Sequence, residues 1–353
     1  MGKRIAMVGV GALGGYVAGN LARAGHDITL IDFWPDNIET IRREGLRLDG
    51  LSEQERFTVE GLPAMHVSDV QSLARQAPID IAIVSVKSYD TEWATTMIGQ
   101  YLAPSGYVVS LQNCLNEERI ARIVGWGRTV GTIASMISVD MSEPGYVMRT
   151  VPKMGDRYTV FRSGEVHGRI SRRVEELVEL FSLVDSAKAT TNLWGERWSK
   201  LVLNGMANGV SAATGLTVAA ANHDDAVRRF SIALGGEAVR VGQALGYELE
   251  KIGRFEAEQW VQASEGDSTA LEAIEAQLTK GAKPSERDDV RRPSMAQDVM
   301  KGRRTEIEFI NGYIAQKGAE IGVGAPHHLR ITELVKQVER GEIEPNPSHL
   351  ADW

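Results

Sequence analysis

The spacing of Gly9, Gly11 and Gly14 constrains the fold of this 353-residue chain more than any other feature. These glycines form the pattern G-x-G-x-x-G between an apolar run, Ile5-Ala6-Met7-Val8, and a small-residue helical segment, 12–24. In such a strand–turn–helix the first glycine permits a sharp turn, the second lets backbone approach a pyrophosphate, and the third lets helix and strand pack closely. The pattern therefore predicts a dinucleotide-binding site at the start of an α/β unit. A glycine turn in some other α/β unit is the alternative interpretation.

The next segments define the two ends of this predicted site. Ala12 and Leu13 begin the helix, whose N-terminal N–H groups and dipole favour a phosphate. A second predicted strand, Ile28-Thr29-Leu30-Ile31, ends in Asp32. A carboxylate at that position accepts hydrogen bonds from ribose hydroxyls and repels a 2′-phosphate. We therefore expect NAD to be preferred, with NADP as the other candidate, unless Asp32 is only a strand-ending turn residue.

Composition and charge exclude several classes of partner. The formal net charge is −8 and no long basic run occurs, so nucleic acid is not an expected partner. No apolar stretch is long enough to span a bilayer, so no membrane association is expected. The single cysteine, Cys114, cannot form an intrachain disulfide, which fits a reducing cytoplasm.

Strand-like and helix-like segments alternate up to about residue 185, which predicts a mostly parallel, doubly wound Rossmann sheet. The predicted strands are 81–86, 107–111 and 128–137, and the predicted helices are 90–102, with Asp90 as N-cap, and 169–183. Residues 138–165 are expected to be an irregular strand extension.

The pattern changes near residue 190, where strand-like segments give way to helical periodicity. The predicted helices are 193–213, 223–245, 252–262, 268–280, 305–320 and 327–340. We therefore predict a dinucleotide-binding domain at 1–189 and an all-helical domain for substrate and dimerisation at 190–353. The charged segment 263–292, which contains Gly281 and Pro284, is expected to be an exposed excursion, either a lid or a plain solvated loop.

The first helix of the second domain carries a polar stripe. Lys200, Asn204 and Asn208 recur every fourth residue, so they share one helix face, while most of their neighbours are apolar. Such a stripe indicates a polar cleft in which a lysine can act as a general acid or base. The alternative is an ordinary exposed stripe.

Ser294 and Glu306 are further candidates for substrate contacts. One straight helix would separate them by about 18 Å, so both can reach a small substrate only if the chain turns between them. Gly302 is a plausible stop and Thr305 a plausible start of the next helix. The alternatives are an N-cap role for Ser294 and a first-turn role for Glu306.

A metal site is not predicted. His327 and His328 are adjacent, so on a helix they point about 100° apart, and we expect them to be surface residues or a helix start after Pro326. Cys114 has no histidine near it in sequence, which disfavours a nucleophilic role.

Taken in order along nearly the whole chain, these motifs resemble the ketopantoate reductase (2-dehydropantoate 2-reductase) family. The resemblance is carried by the glycine pattern, Lys87, Gln112-Asn113, the Lys200 stripe and the segment from Ser294 to Gly312. It implies a Rossmann domain joined to an all-helical domain, with the substrate in the cleft between them. It also implies an NAD(P)-dependent hydride transfer between a nicotinamide and a 2-oxo or 2-hydroxy acid, a small carboxylic acid substrate, and a homodimer.

The resemblance also implies roles for individual side chains. Lys200 exchanges a proton with the substrate oxygen and Glu306 orients that lysine. Asn204 and Asn208 hydrogen-bond substrate hydroxyls, and Ser294 holds the carboxylate. Asn113 and Lys87 border both the nicotinamide and the substrate, and Glu237 completes the cleft from a neighbouring helix.

The chain departs from the family in ways that leave the substrate open. NADPH-dependent members typically have an arginine at the end of the second strand, where this chain has Asp32. Cys114 and Asn116 occupy a segment in which the family usually has glycines. An NAD-linked catabolic hydroxy acid or sugar acid dehydrogenase therefore remains an alternative. So do an enzyme of the 6-phosphogluconate/3-hydroxyisobutyrate dehydrogenase group and a non-catalytic dinucleotide sensor.

Overall fold

The computed structural model describes residues 2–280 and 292–351, and it divides into two compact units, Met1–Leu193 and Trp194–Trp353. The division lies a few residues after the predicted boundary, because the first helix of the second unit begins at Leu193. Within the described residues, no helix combines the length and hydropathy needed to cross a membrane.

An eight-stranded sheet forms the centre of the N-terminal unit. In order across the sheet, its strands are β12 (Ala187–Ala189), β11 (Phe161–Glu165), β8 (Thr129–Ala134), β7 (Leu102–Ser110), β6 (Ile79–Val84), β1 (Ile5–Val8), β2 (Ile28–Asp32) and β5 (Ala64–His66). Neighbouring strands are parallel except β11 and β8, which are antiparallel. The strand order reverses between β1 and β6, and ligands of such sheets bind at the carboxyl ends of strands at this switch point.

Both faces of this sheet are buried. Along β1, Ile5 and Met7 belong to one hydrophobic cluster, while Ala6 and Val8 belong to another, as alternating side chains require. The helices of this unit are α1 (Ala12–Arg23), α2 (Pro35–Glu44), α3 (Thr91–Gly99), α4 (Glu117–Val124) and α5 (Arg172–Ser182). The predicted doubly wound α/β architecture is therefore confirmed.

The predicted N-cap position of Asp90 is confirmed, because α3 begins at Thr91, but the Asp90 side chain does not cap the helix. Residues 88–90 form a short 3₁₀ turn, and Asp90 has φ −99° and ψ −1°, so its side chain makes no capping hydrogen bond to α3. A capping side chain typically reaches the helix N–H groups from extended backbone geometry, which that turn prevents. The helix is also shorter than predicted, because β7 already begins at Leu102.

A second sheet covers α1. Its strands, in order, are β4 (Phe57–Val59), β3 (Leu46–Asp49), β10 (Tyr146–Arg149) and β9 (Val139–Glu143). Leu48 and Val147 of this sheet join the same core as Val17 and Leu21 of α1. Within the predicted strand extension at 138–165, β9 therefore pairs with β10, β10 also pairs with the distant strand β3, and β11 returns to the main sheet.

The second unit is helical, as predicted. Its helices are α6 (Leu193–Thr214), α7 (Val218–His223), α8 (Asp225–Ala244), α9 (Ala257–Ser264), α10 (Ser268–Leu278), α11 (Ser294–Met300), α12 (Asn311–Glu320) and α13 (Pro326–Glu339). The predicted helix 305–320 is interrupted, because a short 3₁₀ turn, Ile307–Phe309, precedes α12.

The predicted helix 268–280 is present as α10, so the interpretation of 263–292 as an exposed lid or loop is wrong for its first half. Residues 268–278 form α10, whose Ala270 and Ile274 are buried. An amphipathic helix of this kind packs through its apolar face despite a charged outer face. Residues 281–291 of the segment lie outside the described residues.

Candidate active site

The glycine loop has the geometry that its sequence predicts. Gly9 has φ +94°, and a Cβ there would lie 2.8 Å from the backbone of Ser85. A Cβ on Gly14 would lie 2.1 Å from Gly9 O, so helix α1 and the loop are in direct backbone contact. A Cβ on Gly11, in contrast, would meet nothing within 4 Å. The loop is thus tightly packed at its two ends and open at the middle glycine, where a pyrophosphate would approach.

The start of α1 suits an anion. Ala12 and Leu13 open the helix, no acidic residue lies in its first turn, and no side chain caps it. The N–H groups of such a first turn and the helix dipole attract phosphate. These residues fit the pyrophosphate of a dinucleotide.

Asp32 connects strand β2 to the glycine loop. It is buried, and its carboxylate accepts hydrogen bonds from Val10 N at 2.6 Å and from Trp34 N at 2.9 Å. Burial raises the pKa of Asp32 above its usual value, and the backbone hydrogen bonds from Trp34 and Val10 offset only part of that rise. Asp32 therefore does serve as a strand-ending turn residue, and the side chain displayed outward at this end of β2 is Phe33, which is 54% exposed.

Asn37 is a support of the glycine loop that the sequence did not indicate. Its Nδ2 donates to Val10 O at 3.0 Å, and its Oδ1 accepts from Gly145 N at 2.8 Å. Asn37 thereby ties the loop to the second sheet. Asn37 is a single asparagine in the largely polar sequence of α2, and no local pattern there reveals this contact.

Lys87 and Asn113 follow β6 and β7, two adjacent strands of the sheet. Their loops are joined by buried amides. Gln112 Nε2 donates to Val86 O at 2.8 Å, and Asn116 Nδ2 donates to Ser88 Oγ at 3.1 Å. The structure thus brings Lys87 and Asn113 to the same carboxyl edge of the sheet as the glycine loop.

Cys114 lies in this loop with φ +66°, a left-handed conformation that favours glycine. Its side chain is buried. The resemblance places glycine in this segment, so the backbone retains a glycine-type conformation with a cysteine in place.

Helix α6 carries the polar stripe of the second unit. Lys200 and Asn204 are partly exposed, and Asn208 is buried. The apolar neighbours Leu201, Val202, Met206 and Val210 are buried, whereas Leu203 is 43% exposed. The helix is therefore largely surrounded by core, and polar side chains on such a helix are typical of a site.

The segment containing Ser294 and Glu306 packs against one turn of α6. Ser294 Oγ lies 3.4 Å from Asn208 Oδ1, and Asn208 Nδ2 donates to Asn204 O. The predicted turn between the two segments is present, because α11 ends at Met300 and Gly302 has φ +61°. Ser294 is the first residue of α11, and Pro293 is its N-cap.

Glu306 is buried at the N-terminus of the short 3₁₀ turn, where its side chain makes no capping bond. A Cβ on Gly209 would lie 3.1 Å from Ile307 Cδ1, so the residue after Glu306 touches α6 directly. Ser294 and Glu306 therefore belong to segments that both contact the turn of α6 at 208–209.

Glu237 and the two histidines differ from expectation. The Glu237 carboxylate accepts from His327 N and His328 N, which caps α13, and it lies 2.6 Å from His327 Nδ1. Glu237 therefore caps α13, and its predicted role in the cleft stays a prediction. The helix start after Pro326 is confirmed, but the surface location is wrong for His328, which is fully buried. The described residues contain no group of three side chains suited to a metal ion.

Two family models match the chain. The model "Ketopantoate reductase PanE/ApbA" matches residues 5–157, and "Ketopantoate reductase PanE/ApbA C terminal" matches residues 192–339. Two similar curated relatives are named 2-dehydropantoate 2-reductase. The Archaeoglobus fulgidus protein is 27% identical over 96% of this chain and 99% of its own length, and the Pyrococcus horikoshii protein is 27% identical over 95% and 97%.

Solved structures share the fold over the same length. A PanE/ApbA family ketopantoate reductase from Ralstonia eutropha matches with a TM-score of 0.76 at 24% identity, covering 96% of this chain and 99% of that one. D-mandelate dehydrogenase with NADH and anilino(oxo)acetate matches with 0.77 at 22%, with the same coverage. The dimeric ketopantoate reductase of Staphylococcus aureus matches with 0.69 at 17%, covering 96% and 100%. From its two matching family models, this chain belongs to the ketopantoate reductase family of oxidoreductases.

Proposed function

We propose that the protein transfers a hydride between a nicotinamide dinucleotide and C2 of a 2-oxo or 2-hydroxy acid, with 2-dehydropantoate and pantoate as the first pair to test. The observation that carries this proposal is the contact of Ser294 with Asn208, on the helix that bears Lys200. The Ser294 hydroxyl, which suits a carboxylate, thereby lies against the Asn208 amide, which suits a substrate hydroxyl. Asn208 and Lys200 are on the same helix, α6.

Lys200 is assigned the proton transfer. Hydride addition to a 2-oxo acid places negative charge on the C2 oxygen, and an ammonium group stabilises that charge and then donates its proton. Oxidation of the 2-hydroxy acid runs the same steps in reverse, with a neutral lysine accepting the proton. Glu306, buried in the segment that contacts α6 at Gly209, is assigned the orientation of Lys200.

The substrate is held by the remaining polar residues of this unit. Ser294 donates to one carboxylate oxygen by turning its hydroxyl away from Asn208 Oδ1. Asn204 and Asn208 are assigned to the substrate hydroxyls. Each of these residues presents a donor whose bond strengthens with negative charge on its partner.

The N-terminal unit is assigned the coenzyme. The reduced coenzyme supplies the hydride. Gly9, Gly11, Ala12, Leu13 and Gly14 cradle the pyrophosphate, whereas Lys87 and Asn113 lie at the nicotinamide end.

NAD is the proposed coenzyme in preference to NADP. The end of β2 presents the carboxylate of Asp32 and the uncharged ring of Phe33, so it offers a 2′-phosphate a repulsive charge. Free ribose hydroxyls can still donate to the remaining lone pairs of Asp32.

An NAD-linked catabolic hydroxy acid or sugar acid dehydrogenase is the second candidate. It is favoured by Cys114, whose buried side chain occupies a left-handed backbone position in the loop assigned to the nicotinamide. A homodimer is proposed by analogy with the dimeric Staphylococcus aureus relative, and the cytoplasm is the proposed location because one cysteine needs no oxidising compartment.

A substrate panel tests the proposal. NADH oxidation and NAD⁺ reduction are measured with ketopantoate, other branched 2-oxo acids, and four- to six-carbon sugar acids, for the wild type and Lys200→Ala. We expect turnover with at least one 2-oxo acid and its loss in Lys200→Ala, whereas Lys251→Ala, an exposed lysine paired with Glu256, keeps it. NADH binding without turnover on any substrate would instead support a dinucleotide sensor.

A further inference from the structure

A chain of buried hydrogen bonds links four helices of the helical unit. His328 Nε2, on α13, lies 2.9 Å from the carbonyl oxygen of Leu234 on α8. His328 Nδ1 lies 3.1 Å from Asn311 Nδ2 on α12. Asn311 Nδ2 also donates to the carbonyl of Gly205 on α6 at 2.9 Å. Because His328 and Asn311 are fully buried, water cannot compete for these bonds.

The donor and the acceptor of each hydrogen bond in this buried network are determined. A carbonyl only accepts, so His328 Nε2 carries the hydrogen and His328 Nδ1 accepts from Asn311. Burial lowers the pKa of His328 to about 4, so the ring is neutral near pH 7, as this arrangement requires. Asn311 uses both hydrogens of its amide nitrogen. A flipped amide would place its oxygen against the Gly205 carbonyl.

Helix α6 approaches this network through two glycines one turn apart. A Cβ on Gly209 would lie 2.9 Å from Asn311 Oδ1, and a Cβ on Gly205 would lie 3.2 Å from His328 Cε1. On an α-helix these glycines are about 100° from Asn204 and Asn208. The network therefore holds the face of α6 that adjoins the polar stripe.

We infer that Asn311 is a positioning residue, which fixes the rotation and axial position of α6 and thereby the position of Lys200. The inference rests on the proposed function, because it matters to the reaction only if α6 carries the acid–base group. Its hydrogen bond reaches the main chain at Gly205, directly after Asn204. A displacement of about 1 Å at reacting groups can cost about 100-fold in rate.

The test compares Asn311→Ala and Asn311→Leu with the wild type on the substrate with the highest turnover. We expect kcat to fall roughly 10- to 100-fold, while the KM for NADH changes less than about two-fold, because the N-terminal unit binds the coenzyme. We also expect the pH dependence of kcat to shift, since a displaced Lys200 meets different neighbours. Asn311→Ala leaves room for a water molecule to bridge Gly205 O and His328 Nδ1, so this variant tests the inference if Asn311→Leu does not fold.

Ile274→Ala is the matched control for stability. Ile274 is fully buried on α10, a helix that contributes no residue to the Asn311 network, and its truncation leaves a cavity that destabilises the helical unit. This variant should keep the wild-type kcat and pH profile. A folded Asn311→Ala with wild-type kcat and pH profile overturns the inference, and so does an equal loss in Ile274→Ala.

The two hypotheses fail separately. If Lys200→Ala loses turnover but Asn311→Ala does not, the positioning role fails and the proposed function stands. If Lys200→Ala keeps turnover, the proposed function fails, whatever Asn311→Ala shows.

Discussion

The two units hold their candidate residues by different means. In the N-terminal unit the glycine loop is fixed by main-chain contacts, such as Gly9 N to Ile31 O, and by glycines too close to their neighbours for a side chain. In the helical unit, side chains bring distant parts of the chain together: Ser294 and Asn208 are 86 positions apart, and Asn311 and Gly205 are 106 apart. The coenzyme half therefore depends on backbone room in addition to the side chains of Asp32 and Asn37, whereas the substrate half depends on specific polar partners.

The largest effect should come from removing backbone room. In Gly14→Ala the new methyl group would lie 2.1 Å from Gly9 O, and neither backbone can move without opening the loop. We expect a loss of about 3 kcal/mol or more in the free energy of unfolding, together with loss of NADH binding. Thermal unfolding and an NADH fluorescence titration measure the two effects.

Gly11→Ala is the control within the same loop. Its methyl group meets nothing in the protein, so stability should be unchanged, while NADH affinity falls because the pyrophosphate approaches there. Wild-type NADH binding by Gly14→Ala would contradict the account of the loop.

The helical unit should instead be sensitive to protonation of its polar network. The pKa of His328 is lowered to about 4 in the folded protein, whereas an unfolded histidine has a pKa near 6.5. The unfolded state therefore binds more protons between these values. Stability should fall as the pH drops below about 6.5, and the full loss, about 3 kcal/mol, is reached only below pH 4.

Denaturant unfolding monitored in the helical unit between pH 4 and 7 measures this dependence. In His328→Gln the slope with pH should decrease, whereas His349→Gln, at an exposed histidine of the same unit, should keep it. An unchanged slope in His328→Gln would show that other groups cause the acid sensitivity.

A moderate effect is expected at the end of β2. Asp32 is buried and bound to the main chain, so the position that can carry a cation into solvent is Phe33. Phe33→Arg should raise kcat/KM for NADPH about ten-fold, which corresponds to about 1.4 kcal/mol. Steady-state kinetics with both coenzymes measures the change, and Trp126→Arg, at another exposed aromatic, is the control. Equal kinetics for Phe33→Arg and the wild type would mean that the 2′-phosphate of NADPH does not lie near residue 33.

The smallest effect is expected at Cys114. Its φ of +66° costs a cysteine about 1 kcal/mol relative to glycine, and loss of the small buried side chain offsets part of that. Cys114→Gly should therefore raise the midpoint of thermal unfolding by about 1–3 °C. A lower midpoint would mean that packing of the sulfur outweighs the backbone strain.

The sequence predicts those parts of the molecule that depend on neighbours along the chain. The glycine pattern, strands β1 and β2, the stripe of every fourth residue on α6 and the turn at Gly302 all follow from local spacing, and the structure contains each of them. The site roles came from the family resemblance, because spacing alone left each one open between function and an ordinary structural role.

Features formed by distant segments were missed. The pairing of β3 with β10, the support of Val10 by Asn37, and the capping of α13 by Glu237 each join residues that no local pattern relates. His328 shows the same limit: a histidine after a helix-starting proline is usually exposed, and only the partners from other helices explain its burial.

The most direct measurement is the single-turnover rate of hydride transfer in Lys200→Ala with NADH already bound. We predict an NADH dissociation constant equal to that of the wild type, because the coenzyme is held by the N-terminal unit, and a hydride-transfer rate reduced by about 10²- to 10⁴-fold. Lys251→Ala should match the wild type in both quantities. A wild-type hydride-transfer rate in Lys200→Ala would contradict the account.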